Sequence, residues 1–296
     1  MPELPEVEIL KEELRREVVG RRVRELAVFE KTAGQFPVAQ LREAAEGRAI
    51  AGVRRRGKML VLDFEGGHSL VIHLMMAGQL LLSPPFTGQP CGIRHIPTQT
   101  LQRRPIPQGQ PRDVCLELKF ADDVLTLGQV RLKYVHLLPT AEVDDWPPVA
   151  KLGVDPFDET FTVDLLRRLL AKRRGMIKST LMNQAAIAGL GNVYTDEILF
   201  RARLHPRRRA SELSEEEVKR LHASIVAELQ RGLELGGSSE MAFVHLDGSV
   251  GSYQETFQVK GRKGKSCFVC ATPIERIKVG GRGTYFCPRC QAVVEE

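Results

Sequence analysis

The chain has 296 residues and is 43% hydrophobic, which suits two packed domains or one domain with a satellite. No apolar run approaches the ~18 residues of a membrane helix. The glutamate-rich start lacks the basic-then-apolar order of a secretory signal, so a soluble intracellular protein is expected. The net charge of +6 is unevenly spread, with clusters at Arg54-Arg55-Arg56-Gly57-Lys58, Lys172-Arg173-Arg174, Arg207-Arg208-Arg209 and Lys260 to Lys265. Any one cluster reads as a solvated surface, but several together favour a polyanion partner, because neutralising phosphates takes many cations.

Residues 3–19 carry Ile9, Leu10, Leu14 and Val18 at helical spacing with Gly20 behind them, predicting a helix at the very start of the chain. Strand-like segments follow at Val23–Phe29, Met59–Phe64, Ser69–Leu74, Gln79–Leu82, Val114–Phe120 and Val124–Leu127, punctuated by turns such as Glu65-Gly66-Gly67. This half predicts a β-sandwich with helices attached. Between Leu82 and Val114 lies a Pro-, Gln- and Gly-rich segment, long for a connection in a compact domain.

Asp144-Asp145-Trp146-Pro147-Pro148 reads as a linker. The pattern then turns helical at Val163–Leu170, Met176–Ala186, Asn192–Phe200 and Glu215–Leu235. The last of these is announced by Ser214 and Glu217 as a capping box and closed by Gly236-Gly237. Gly236 to Gln254 is composed like a flexible loop. Domain limits are expected at 1–145, 150–237 and 238–296.

Cys267-Phe-Val-Cys270 and Cys287-Pro-Arg-Cys290 are two C-x-x-C pairs separated by sixteen residues. Each pair presents two thiolates from a turn, and the interval suits a β-hairpin, so one tetrahedral zinc is expected. Its role would be structural, since four cysteines leave no open coordination position. A disulfide framework is the competing reading, disfavoured without a secretion signal. Cys91 and Cys115 read as ordinary thiols. Gly280-Gly281-Arg282-Gly283 at the hairpin tip would let a guanidinium and backbone approach a phosphate.

Three separated stretches carry a family likeness: the opening PELPEVE, the segment Gly189-Leu-Gly-Asn-Val-Tyr-Thr-Asp-Glu-Ile-Leu-Phe200, and the C-x-x-C pairs with Arg282-Gly-Thr. Together they resemble the bacterial formamidopyrimidine-DNA glycosylases. The likeness implies an α+β protein with an N-terminal β-sandwich, a helix–two-turn–helix domain and a C-terminal β-hairpin zinc finger. It also implies a cytoplasmic enzyme, monomeric by default, on damaged double-stranded DNA, with no membrane or nucleotide cofactor. Its activity would be excision of oxidised purines, 8-oxoguanine and formamidopyrimidines, followed by β,δ-elimination at the abasic site.

The likeness assigns residues by position. Pro2 becomes a secondary amine once Met1 is removed, and would attack the sugar C1′ to form a Schiff base. A helix N-terminus should depress that amine's pKa from ~8 and keep it neutral. Glu3 matches the acid–base residue, whereas Glu6 and Glu8 read as complements to the helix dipole, with some allowance for Glu6 near the amine. Lys58 and Arg282 match catalytic cations of the family, Lys58 on phosphates beside the lesion and assisting elimination, Arg282 clamping phosphates around the extruded nucleotide. Arg173, Lys178 and Asn192 are expected DNA contacts. Met76 and Arg131 would fill the gap left by an extruded base. In the position of the third filler, a phenylalanine in the family, stands Lys133, and an expected upstream histidine is missing where Pro111-Arg112 occurs, with His95 elsewhere in the long segment. These departures bear on readout of the opposite base. Two alternatives follow: an endonuclease VIII-like glycosylase for oxidised pyrimidines, or a damaged-DNA binding protein without chemistry.

Overall fold

Helix α1 spans Leu4–Val18, close to the expected limits, and buries Leu4, Val7, Leu10, Leu14 and Val18 along one stripe. Pro5 sits in its first turn, where the missing N–H leaves no hydrogen bond unmade. Glu3 is the N-cap and forms a capping box with Glu6, so two of the helix's orphan donors are satisfied at once. The computed structural model describes residues 1–29, 37–83 and 114–292, with only the backbone of Leu132. Cys91, His95, Pro111 and Arg112 lie outside the described residues.

After α1 come β1 (Glu25–Val28), α2 (Val38–Ala45), β2 (Ile50–Arg56), β3 (Met59–Phe64), β4 (His68–His73), β5 (Gln79–Ser83), β6 (Val114–Lys119), β7 (Val124–Gly128), β8 (Val135–Pro139) and the short α3 (Pro147–Ala150). Two antiparallel four-stranded sheets form, in the orders β1-β6-β7-β5 and β2-β3-β4-β8. Leu60, Leu62 and Phe64 point to one face of β3 and join Leu116, Leu118, Leu125 and Leu127 of the other sheet in one core, which α1 also enters. That shared core makes the sandwich.

Three elements escape the sequence pattern. α2, β2 and β8 have no clear signal in it, and the segment at Asp144–Pro148 runs into a helical turn rather than a bare linker. β2 is hidden because Arg54, Arg55 and Arg56 end it. Their charges are met by acids distant in sequence: Arg54 pairs with Asp63 at 2.8 and 3.0 Å, Arg55 with Glu8 at 2.6 Å and Arg56 with Asp144 at 2.6 Å. This basic cluster is knitted into the sheet and does not simply await a polyanion.

The chain divides into two compact units, Met1–Ala150 with Leu235–Gln254 and Lys151–Glu234 with Glu255–Glu296. The second contains α4 (Val163–Ala171), α5 (Ile177–Leu181), α6 (Asn192–Arg201), α7 (Glu215–Glu234) and the hairpin β9 (Glu275–Val279) and β10 (Arg282–Phe286). Ser214 and Glu217 form the expected box, exchanging hydrogen bonds of 2.8 and 3.2 Å. The helix expected over 176–186 stops at Leu181. Beyond it the Gln184 amide takes over, donating to Leu190 O at 2.8 Å and accepting from Gly189 N at 2.8 Å, which shapes the tight turn into α6. Among the described residues no helix is long and apolar enough to cross a membrane.

Candidate active site

In the first unit the chain terminus is built on α1. Pro2 and Glu3 are buried, and Glu6 Oε2 accepts from Glu3 N at 2.8 Å. With Met1 in place, its amine donates to Met241 Sδ at 3.5 Å. Burial pushes that amine below its ordinary pKa and Lys58 adds to the effect, while Glu3, Glu6 and Glu240 oppose it. Lys58 itself is 7% exposed and occupies the two-residue turn Gly57-Lys58, where β2 hands over to β3 with Arg56 paired to Met59. A buried ammonium so near the terminus disfavours a second positive charge. His73, across the ladder from Met59, is likewise held below the usual histidine pKa, by burial first and by Lys58 second.

Just past β4 the chain makes a sharp turn in which Met75 takes a φ of 52° and donates its N–H to His73 Nδ1 at 3.0 Å. This turn presents Met76, which is 60% exposed, an unusual state for a methionine that would otherwise fill a core. Arg131 and Lys133 are also exposed, Lys133 with its ammonium 5.0 Å from the Tyr134 ring centre.

The segment from Gly236 to Gln254 is held by two carboxylates of α1, Glu6 and Glu13. Glu6 Oε1 accepts from Ser238 N at 2.8 Å, and Glu13 Oε2 accepts from Leu246 N at 3.0 Å. A side chain at Gly237, with φ of 78°, would press on Glu6 and Phe243 at 3.0 Å, so this corner favours glycine. Phe243 and Leu246 reach into the sandwich core. Glu6 thus does more than complement a dipole: it couples the helix cap to this loop.

In the second unit, Arg282 opens β10 directly after the turn Gly280-Gly281, whose φ values of 56° and 77° suit the two-residue hairpin. The Ser179 hydroxyl lies 2.6 Å from where a Gly280 Cβ would stand, so the turn rests on α5. On the other side of Arg282, the Lys178 ammonium reaches Gly283 O at 3.4 Å and Asp196 Oδ1 at 2.5 Å, and Asp196 Oδ2 accepts from Tyr285 N at 3.2 Å. Arg282 itself is exposed, held between these two braces.

Lys178, expected as a DNA contact, is therefore wholly buried and ion-paired to an equally buried Asp196. Burial lifts the Asp196 carboxyl to about 6 despite the lysine. Removing either charge would strand the other in the core, at a cost of about 3–5 kcal/mol. Next to it, Glu197 accepts from the N–H groups of Gln258, Val259 and Lys260 at 2.8, 3.1 and 2.8 Å, with burial raising it to about 7. Sequence reasoning misses both Asp196 and Glu197; two adjacent acids inside the helical segment 192–200 were the available signal.

Asn192 is the first residue of α6, and its Oδ1 is buried with no hydrogen-bond partner. Arg173 is half-buried in the turn after α4.

The cysteine sulfurs of residues 267, 270, 287 and 290 all lie within 4.8 Å of one another. Cys267 and Cys290 Sγ are 3.9 Å apart and Cys270 and Cys287 Sγ 3.4 Å. Four Zn–S bonds of about 2.3 Å at tetrahedral angles put sulfurs roughly 3.8 Å apart, so the set fits a zinc ion. The backbone adds N–H donors from Val269 and Cys290 to sulfur, each at 3.4 Å.

Sandwich, helix–two-turn–helix region and four-cysteine finger define a class, a mixed α+β protein whose separate parts recur together in known proteins. Residues 1–131 match the formamidopyrimidine-DNA glycosylase N-terminal domain, 152–243 its H2TH domain and 264–293 the zinc finger found in FPG and IleRS. A formamidopyrimidine-DNA glycosylase of Halalkalibacterium halodurans is 38% identical, over 98% of this chain and 100% of its own. The solved complex of a Lactococcus lactis FPG variant with Fapy-dG-containing DNA superposes with a TM-score of 0.84 at 35% identity, over 99% of this chain and 100% of that one. The wild-type Lactococcus lactis protein with oxidised-pyrimidine-containing DNA gives 0.82 at 34%, with the same coverage. The chain belongs to the formamidopyrimidine-DNA glycosylase family.

Proposed function

We propose that this chain is a DNA glycosylase that excises oxidised purines from damaged duplex DNA and cleaves the resulting abasic site. The observation that carries the reading is the buried terminus on the capped start of α1, with Glu3 as cap and Lys58 beside it. Once Met1 is removed, the secondary amine of Pro2 is the nucleophile. Its lone pair bonds to the sugar C1′ as the C1′–N bond to the damaged base breaks, the amine's N–H proton leaves with the departing base, and Glu3 delivers a proton to the ring oxygen as the C1′–O4′ bond opens to the iminium. The iminium then acidifies the C2′ hydrogen; loss of that proton expels the 3′ phosphate, and a second elimination expels the 5′ phosphate. Water finally hydrolyses the iminium and returns the free amine. Lys58, Arg282, Arg173 and Asn192 are the proposed phosphate contacts, and Met76 and Arg131 the side chains that replace the extruded base. Lys178 serves here by bracing the Arg282 hairpin. We place the protein in the bacterial cytosol as a monomer.

Trapping with borohydride tests this reading. Duplexes carrying 8-oxoguanine, a formamidopyrimidine, an oxidised pyrimidine or an abasic site are incubated with the full chain, its Met1 shown by mass to be removed. A covalent adduct with the purine lesions and the abasic site is expected. Adducts only with the pyrimidine lesion would favour the second reading, for which Lys133 speaks. No adduct with any duplex would leave a binding protein without chemistry.

One structural zinc in the four-cysteine finger belongs to the same proposal, holding the hairpin that carries Arg282. Metal analysis should return one zinc per chain. A strong chelator should remove it and collapse DNA affinity, while the sandwich keeps its folded signal; undiminished affinity after complete zinc loss would sink the assignment.

A further inference from the structure

We propose that His245 is a positioning residue which holds the 236–254 segment on α1 as an imidazolium, clamped between Glu13 and the Gly236 carbonyl. Its two ring nitrogens face two acceptors. Nδ1 lies 2.6 Å from Glu13 Oε1 and Nε2 lies 3.0 Å from Gly236 O. A neutral imidazole has one N–H and one lone pair, so it can serve only one of them as donor. The other contact would then set a lone pair against an oxygen. Both contacts are made together only when the ring carries two protons.

The clamp sits where the segment needs fixing. Glu13 Oε2 also takes the Leu246 N–H, and Leu246 O accepts from Leu82 N at 2.8 Å, so the carboxylate is tied to the sheet as well as to the imidazole. His245 closes the local turn through its own backbone, donating to Ser249 O at 3.0 Å and accepting from Gly248 N at 2.9 Å. Gly236 opens the segment, beside Leu235, whose carbonyl accepts from Ser252 N at 2.8 Å. One side chain thus joins the middle of the segment and its first residue to the helix that carries Pro2.

Among the described residues, the charged groups acting on the ring are Glu13 from α1 and Asp247 from the segment itself, both carboxylates. The Phe243 ring lies 5.4 Å away. The hydrogen bond to Glu13 lifts the His245 pKa above its ordinary 6.5, against the opposing effect of burial. Because the folded value is the higher one, the clamp's stabilisation is complete below pH 6.5 and is lost as pH rises through the folded pKa.

The consequence for catalysis rests on the proposed function, in which this segment is taken, as the family likeness implies, to cover the extruded base; the protonation itself does not. Imidazole NMR titration of the full chain, with the resonance assigned through His245→Asn, reads the first part. A midpoint above 6.5 that falls in Glu13→Gln is expected. A midpoint at or below 6.5, or one unmoved by Glu13→Gln, overturns the proposal. Hydrogen exchange at Leu246 and Ser252, corrected for the intrinsic pH dependence, should accelerate across the same midpoint and show no such step in His245→Asn; equal rates on both sides in the wild type would also overturn it. In turnover, excision of the damaged base should decline across that midpoint, whereas cleavage of a preformed abasic site, which has no base to cover, should not. If no lesion is processed at all, the proposed function fails, and the titration and exchange still decide on the clamp.

Discussion

A chain that keeps Met1 is expected to bind damaged duplex yet lose strand cleavage by about 10²-fold or more. An extra residue moves the nearest amine by up to ~3.8 Å, and displacement by ~1 Å can already cost about 10²-fold in a reaction that depends on positioning. The retained amine is also primary, and in this structure it donates to Met241 sulfur. Pro2→Gly, with Met1 removed, is the companion variant: it keeps an amine in place but as a primary one without the ring's fixed φ, so cleavage should fall while affinity holds. The cap of α1 begins at Glu3, so neither change removes a helix contact of that residue. Intact-mass analysis, a binding titration and single-turnover cleavage check this together. Full cleavage by the Met1-bearing chain would place the nucleophile elsewhere.

Glu3→Gln should separate chemistry from stability more cleanly still. In the capping box, the Glu3 side chain accepts from the first turn of α1 while its own N–H goes to Glu6. A glutamine oxygen can still accept, so the helix start survives with a loss of no more than about 1 kcal/mol. What disappears is the group that can deliver and retrieve a proton, typically worth about 10²–10⁴-fold. Base excision should fall by about that factor with the melting temperature nearly unchanged. A variant that excises bases at the wild-type rate would reassign Glu3 to helix capping alone.

How much of the fold and site is legible in the chain depends on how local the physics is. α1 announces itself through its stripe of Leu10, Leu14 and Val18, and the finger through two C-x-x-C turns, because both are written within a few residues. β2 is not legible: three successive arginines look like a surface run, and only Glu8, Asp63 and Asp144, brought together by the fold, reveal a sheet. Lys178 misleads in the same way, since its partner Asp196 is eighteen residues on and the burial of both is a tertiary fact. Glu13 and His245 are separated by 232 positions, a pairing that no periodicity can signal. The candidate catalytic residues of the first unit can be named in advance because short motifs carry the family likeness that assigns them, whereas the acids that brace the loop and the hairpin emerge only with the fold.

The return of residues 235–254 to the sandwich has a consequence for how the protein is made. Phe243 and Leu246 belong to the sandwich core, and Leu82 donates its N–H to Leu246. On the ribosome, the first unit cannot complete that core until all four helices α4–α7 of the second unit have been translated. A chain cut short after Ala150 would carry an unfilled cleft between strands already in place, a natural foothold for chaperones during synthesis and a poor starting point for dissecting the enzyme into halves.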